Sequence, residues 1–159
     1  MTFTDALIQI LAGTVGTFGF GILFNIRGKK LLFGSLGAFI SWTLYLIFSL
    51  FIPSEILVYL MVSISTSIYS EIMAVVLKTP TTTFLITSLI PLIPGGSLYY
   101  ALSHAFEGNL MEFLTRALYT LQLASALSAG IILVISLTRT VKNLRRRVKK
   151  STQNLGSNT

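Results

Sequence analysis

The chain has 159 residues and a net charge of +7, with 53% hydrophobic residues and only 11% charged ones. A typical soluble domain carries roughly 25% charged residues, and one of this size could not bury so much apolar surface. Cysteine is absent, which excludes a disulfide framework, a thiolate metal site and a cysteine nucleophile. The composition therefore predicts an integral membrane protein.

Five apolar segments follow one another along the chain, each near the ~20 residues that cross ~30 Å of hydrocarbon. They cover residues 5–24, 31–52, 56–77, 84–106 and 112–137. The connectors between them are short, so consecutive helices should be antiparallel neighbours. We predict an all-α fold, an integral membrane helix bundle of about five transmembrane helices forming one domain over residues 1–138.

The third segment carries a polar stripe of Ser63, Ser67 and Ser70 beside the carboxyl group of Glu71. An ionisable group inside the membrane costs at least ~2.5 kcal/mol and usually faces a cavity or a partner. Hydrocarbon disfavours the charged form, which makes Glu71 a candidate proton carrier. The alternative is a structural residue that forms a hydrogen bond or an ion pair at a helix interface, with Lys78 nearby.

The fourth segment contains the run Pro91-Leu-Ile-Pro-Gly-Gly96. Each proline lacks an amide proton, so Pro91 and Pro94 should leave the carbonyls of Thr87 and Ile90 without their helical donors. Polar backbone at membrane depth is tolerated only inside protein or along a wet cavity. Broken helices of this kind form mid-membrane sites in many transporters. We therefore predict a transport protein whose fourth helix is broken at this Pro-x-x-Pro-Gly-Gly motif; the alternative is a simple kink.

Residue counting relates Glu71 to this break. Glu71 lies six residues from the inner end of its segment and Pro91 seven from the inner end of the next. At ~1.5 Å per residue both are about 10 Å deep, which allows them to line one site.

Charge distribution predicts the orientation. With the N-terminus outside and the C-terminus cytoplasmic, eleven of the twelve basic residues lie on the inner side of the cell membrane, and only Arg116 lies near the outer face. Residues 139–159 form a basic tail that we expect to be disordered and to rest on anionic lipid headgroups rather than on nucleic acid. The predicted membrane anchor consists of Arg139, Lys142, Arg145, Arg146, Arg147, Lys149 and Lys150.

Enzymatic chemistry has no recognisable motif in this chain. It contains no Walker-type glycine loop, no paired-carboxylate motif and no histidine or cysteine cluster with metal-ligand spacing. We predict no catalytic residues, no metal site and no cofactor. Active transport would have to be driven by an ion gradient or by the solute gradient.

Two runs, Tyr69 to Pro80 and Leu89 to Tyr100, resemble the threonine/serine exporter (ThrE-like) family, specifically its smaller split membrane subunit. In that family a helix with an acidic residue leads through a Lys/Arg-x-Pro connector into a span with Pro-Leu-Val/Ile-Pro-Gly-Gly and a nearby tyrosine. The matching positions are Glu71, Lys78, Pro80, Pro91, Pro94, Gly95, Gly96, Tyr99 and Tyr100.

The resemblance implies a secondary exporter of small carboxylated metabolites: threonine and serine in the fused members, or a dicarboxylate such as succinate in some two-subunit members. It also implies a larger membrane subunit as partner. Our hypothesis is that amides at Gly95, Gly96 and Ser97 hold the substrate carboxylate, while Glu71 handles a coupling proton or the amino group. Tyr99 and Tyr100 either line the cavity or pack beside it.

Two other classes of function stay open. The chain could be a non-transporting scaffold or channel-like subunit that stabilises a larger partner. It could also be a lipid-interacting membrane protein whose basic tail is the working part.

Overall fold

A computed structural model describes the backbone of residues 2–156 and the side chains of residues 2–144. The helices are α1 (Phe3–Leu23), α2 (Lys29–Phe51), α3 (Glu55–Val76), α4 (Thr81–Leu89), α5 (Gly95–Phe106) and α6 (Leu110–Gly156). A 3₁₀ turn at Ile90–Leu92 connects α4 to α5. Helices α1, α2, α3 and α6 are long and apolar enough to cross a membrane, and α4 with α5 forms a fifth, bent span. The predicted all-helical membrane bundle with a broken fourth span is confirmed.

The two ends of the bundle differ in charge. One end, called here the basic end, is where α1 and α3 finish and α2 and α4 begin; it carries Arg27, Lys29, Lys30 and Lys78. At the opposite, acidic end, α3 begins at Glu55, the α5–α6 connection carries Glu107 and the first turn of α6 carries Glu112. Helix α6 runs from the acidic end past the basic end.

Helix α3 lies at the centre of the bundle, in contact with α2, α4 and α6. Its polar stripe faces the interior, since Ser63, Ser67 and Ser70 are fully buried. Nearer the acidic end, Val58 and Val62 of the same helix form an apolar core with Leu92. Leu92 belongs to the 3₁₀ turn, so the interruption of the fourth span is anchored in the bundle interior.

Small residues bring the helices close together. A Cβ atom added to Gly34 of α2 would lie 2.7 Å from Oγ1 of Thr87 in α4. One added to Gly130 of α6 would lie 3.0 Å from the carbonyl oxygen of Leu60 in α3. Membrane helices associate through such close packing because lipid provides no hydrophobic driving force between them.

The C-terminal tail differs from the prediction. Helix α6 has 47 residues and continues without a break through Gly156, so residues 139–156 are helical where we expected a disordered tail. Lysine and arginine are good helix formers, and a helix already nucleated upstream extends into them at little cost. The side chains of five predicted anchor residues lie outside the described part of the chain: Arg145, Arg146, Arg147, Lys149 and Lys150. Their role stays a prediction, as does the domain boundary at residue 138.

Replacing Gly130 by alanine should destabilise the bundle by about 1–3 kcal/mol, because the added methyl group presses on the rigid Leu60 carbonyl and separates α3 from α6. The matched control is Gly16→Ala in α1, where an added Cβ meets nothing within 4 Å. Thermal unfolding in detergent measures both variants. Equal melting temperatures would contradict the close α3–α6 contact.

Candidate functional site

The broken span has a defined geometry. Its two halves, Thr81–Leu92 and Gly95–Phe106, meet at an angle of 55°. Pro91 occupies the 3₁₀ turn and Pro94 precedes the first residue of α5. Pro91 packs against α1, where a Cβ added to Gly13 would lie 3.4 Å from Cβ of Pro91.

The carbonyls expected to lose their helical donors find others. The amide of Ile90 donates to the carbonyl of Thr87, and the amide of Ile93 donates to the carbonyl of Ile90 at 3.3 Å. The buried hydroxyl of Ser41 in α2 donates to the carbonyl of Ser88 at 2.7 Å. The carbonyls of Thr87, Ser88 and Ile90 are therefore satisfied inside protein, as hydrocarbon requires.

The amide side of the break is different. The amide of Gly95 donates to the carbonyl of Ile93 at 2.6 Å, and that of Leu98 donates to the carbonyl of Pro94 at 3.1 Å. The amides of Gly96 and Ser97 lie between those of Gly95 and Leu98, and they have no acceptor within the described part of the chain. Free amides in the first turn of a helix, together with the helix dipole, attract an anion.

The residues that carry these amides line a pocket of about 460 Å³. Pro91, Pro94, Gly95, Gly96 and Ser97 form one wall, so the structure brings these predicted site residues together. The opposite wall comes from α2, α3 and α6, and the volume is within the range of small-molecule sites. The hydroxyl groups of Ser97 and Thr120 are 2.7 Å apart and connect the start of α5 to α6.

Glu55, the first residue of α3, contributes a carboxylate to the pocket. The hydroxyl group of Tyr45 donates to its Oε1 at 3.0 Å, and the hydroxyl group of Tyr119 donates to its Oε2. Tyr59 also lines the pocket and packs edge-on against Tyr45, with ring centroids 5.6 Å apart. The carboxylate is thus held in place by tyrosines from α2 and α6.

A cationic group and an indole also face this pocket. Arg116 of α6 lines it and forms an ion pair with Glu112 one turn earlier, with 3.5 Å between Nε and Oε1. Trp42 of α2 lines it as well, and its buried Nε1 has no hydrogen-bond partner among the described residues. The pocket therefore combines free amides, a guanidinium group, a carboxylate and aromatic faces.

Glu71 does not line this pocket, so the structure does not bring it together with Pro91 there, and its role in transport stays a prediction. Its carboxylate accepts a hydrogen bond from Thr81 at 3.1 Å and pairs with Nζ of Lys142 at 2.8 Å. The depth estimate failed because α4 begins at Thr81 rather than residue 84, which places Pro91 ten residues, about 15 Å, from the basic end. Glu71 is five residues, about 8 Å, from the end of α3.

The two tyrosines predicted for the site, Tyr99 and Tyr100, face different surfaces. Tyr100 lines the pocket at the break, whereas Tyr99 points to a different surface groove with Phe106 and Glu107. Successive helical residues differ by about 100° in direction, so the side chains of Tyr99 and Tyr100 diverge. Tyr99 therefore does not line the pocket at the break, and its role stays a prediction.

Sequence reasoning missed Glu55, Arg116, Tyr45, Tyr59, Tyr119 and Trp42. Glu55 and Arg116 had signals, because each is a charged residue at the edge of an apolar segment. Arg116 was interpreted only as an exception to the charge bias that predicts membrane orientation. The aromatic residues had no distinguishing signal, because most tyrosines and tryptophans in a membrane span pack against neighbours or lipid.

Together, a bundle of apolar helices, one discontinuous span and a polar pocket at the break define a multi-pass membrane protein of the transporter class. The family model described as Threonine/Serine exporter, ThrE, matches residues 9–137. The chain belongs to the threonine/serine exporter family, whose members are transporters. No curated protein and no solved structure matches the chain.

The contact of Lys142 with Glu71 predicts coupling between α6 and the end of α3. In a double-mutant cycle with Glu71→Gln and Lys142→Gln, we expect the pair to contribute about 0.2–1 kcal/mol of unfolding free energy, since the lysine is half-exposed. The coupling should weaken as salt is added. Arg139→Gln is the control, because Arg139 forms no ion pair within the described residues. Additive single effects would contradict the pair.

Proposed function

We propose that this chain is one subunit of a secondary exporter of small carboxylated metabolites, and that the pocket at the break binds the solute. The single observation that carries the proposal is the pair of free amides at Gly96 and Ser97, two residues that line the pocket. A half-helix N-terminus at this depth favours a carboxylate group.

The other polar groups indicate which carboxylated solute fits best. Arg116 lies on the same pocket as the free amides and adds positive charge for a carboxylate. Glu55 and the aromatic faces of Tyr59 and Trp42 suit an ammonium group, through ion pairing and cation–π contact. We therefore favour a zwitterionic amino acid such as serine or threonine over a dicarboxylate such as succinate, which would meet the Glu55 charge unfavourably.

The partner and the coupling follow from the incompleteness of the site. Transporters with discontinuous helices usually have them in pairs related by an inverted repeat, whereas the described part of this chain has one. We propose that a larger membrane subunit supplies the second. If a proton is coupled to transport, Glu55 is the carboxyl group placed to carry it, since Glu71 is paired with Lys142 outside the pocket.

The basic end supports an orientation. We propose that it faces the cytoplasm, with the N-terminus outside and the C-terminus inside, by the positive-inside rule. The pocket at the break, lined by Glu55 and Arg116 from the acidic end, would then belong to the outer half of the membrane. Arg139 and Lys142 would lie at the inner leaflet, where anionic headgroups attract basic side chains.

Efflux of labelled serine, threonine and succinate from proteoliposomes tests the function. The chain is reconstituted alone and with its larger partner, across an imposed proton gradient. We expect efflux of serine or threonine only when both chains are present. Efflux by the chain alone would contradict the half-transporter, and no efflux of any of the three solutes from an intact complex would contradict the proposed substrate class.

Filling the break should stop transport without unfolding the protein. An added Cβ meets nothing within 4 Å at Gly95 or Gly96, so Gly95→Leu and Gly96→Leu should fold while occupying the space before the free amides. We expect serine efflux to fall at least about tenfold, since a lost anion contact of this kind is worth about 1.5–3 kcal/mol. Gly16→Leu is the control on an open helix face. Unchanged efflux by an assembled complex would favour a scaffold subunit.

Neutralising the two acidic residues distinguishes their roles. Glu55→Gln should lower serine efflux at least about tenfold, through loss of a charged contact to the ammonium group, and should spare any succinate efflux. Glu71→Gln should retain most efflux because Glu71 lies outside the pocket. Glu107→Gln is the control at the acidic end. Loss of efflux in Glu71→Gln with normal activity in Glu55→Gln would return the transport role to Glu71.

A further inference from the structure

A second pocket lies at the basic end, remote from the break. It has a volume of about 510 Å³ and is lined by the α1–α2 connection and the start of α4. Two basic side chains, Arg27 and Lys30, line it together with the hydroxyl-bearing residues Thr79 and Thr83. Neither Arg27 nor Lys30 forms an ion pair with any described residue.

The electrostatics of this pocket are unfavourable as they stand. Helix α2 begins with Lys29 and Lys30, which places two cations at the positive end of the helix dipole with no acidic residue in the first turn. Such placement normally destabilises a helix. Helix α4 begins at the same pocket, and neither helix has a side-chain cap on its N-terminal amides. The one nearby carboxylate, Glu71, contacts Thr81 but is paired with Lys142 and does not line the pocket. An anion bound there would relieve the repulsion.

An apolar groove adjoins the basic pocket and shares Ile26 and Thr83 with it. This groove has a volume of about 230 Å³ and is mostly apolar, with Phe24 and Ile86 as its exposed walls. Ile86 is in the second turn of α4, so the groove runs from the basic end into the membrane-spanning part. A soluble anion would not bind in an apolar groove, whereas an acyl chain attached to a phosphate group would fill it.

We propose that this composite site binds one anionic phospholipid, with the phosphate group between Arg27 and Lys30 and an acyl chain along Phe24 and Ile86. The lipid bridges the α1–α2 connection and the first half of the broken span. The site is distinct from the basic tail, because its lining residues all lie between Phe24 and Ile86, whereas the tail begins at Arg139. It is also independent of the pocket that we propose for the solute.

Native mass spectrometry of the full chain tests the site. The purified protein is released from micelles containing equal amounts of phosphatidylglycerol and phosphatidylcholine. We expect retention of one phosphatidylglycerol, reduced at least about tenfold in the double variant Arg27→Gln/Lys30→Gln. The matched control Lys29→Gln/Lys78→Gln removes the same charge from the same end, but outside the pocket lining. It should retain the lipid, and the basic tail is identical in all variants.

Two further arms separate the lipid from a free anion and test the groove. Inorganic phosphate and succinate at millimolar concentration should not displace the lipid, and dihexanoyl phosphatidylglycerol, with the same headgroup, should be retained less well than the long-chain lipid. Ile86→Asn, a change at an exposed position, should abolish that chain-length preference. Displacement by the free anions would make this a solute site. Equal losses in the two double variants would show diffuse attraction, and either result would overturn the proposal.

Discussion

The structure depends on how the backbone of the broken span is satisfied without water. Hydrocarbon offers no hydrogen bonds, so each polar group freed by Pro91 and Pro94 needs a partner inside protein or a wet cavity. The carbonyls are satisfied through 3₁₀-type hydrogen bonds and the hydroxyl group of Ser41. The amides of Gly96 and Ser97 have no acceptor within the described part of the chain, and both residues line the pocket. This asymmetry is the physical basis of the proposed anion site.

The same requirement explains the packing around the break. Leu92 is fully buried against α3, and Pro91 packs against α1. The turn is thereby held from two sides, which fixes the direction of the free amides. Close contact of α2 with α4 at Gly34 holds the first half-helix in place. A preorganised anion site needs this rigidity, because a flexible turn would lose binding free energy in ordering itself.

Charge separates the molecule into regions with different roles. At the acidic end, Glu55 and Arg116 both line the pocket and carry opposite charges. At the basic end, Arg27 and Lys30 remain without partners among the described residues, next to two uncapped helix N-termini. Near the basic end, Glu71 and Lys142 form an ion pair that connects α3 to α6. Membership of the threonine/serine exporter family is consistent with a transport site at the break.

The sequence alone determined the class of fold and the position of the break. Apolar segment length, the two prolines and the charge bias act locally, so they can be interpreted without knowing which helices are neighbours. The motif residues from Pro91 to Ser97 were predicted for the same reason. Only the tertiary structure decided what faces them. Glu55, Arg116 and Trp42 come from three other helices, and a three-residue error at the start of α4 was enough to place Glu71 wrongly beside Pro91. Partners across a bundle depend on helix rotation and depth, which one-dimensional periodicity does not specify.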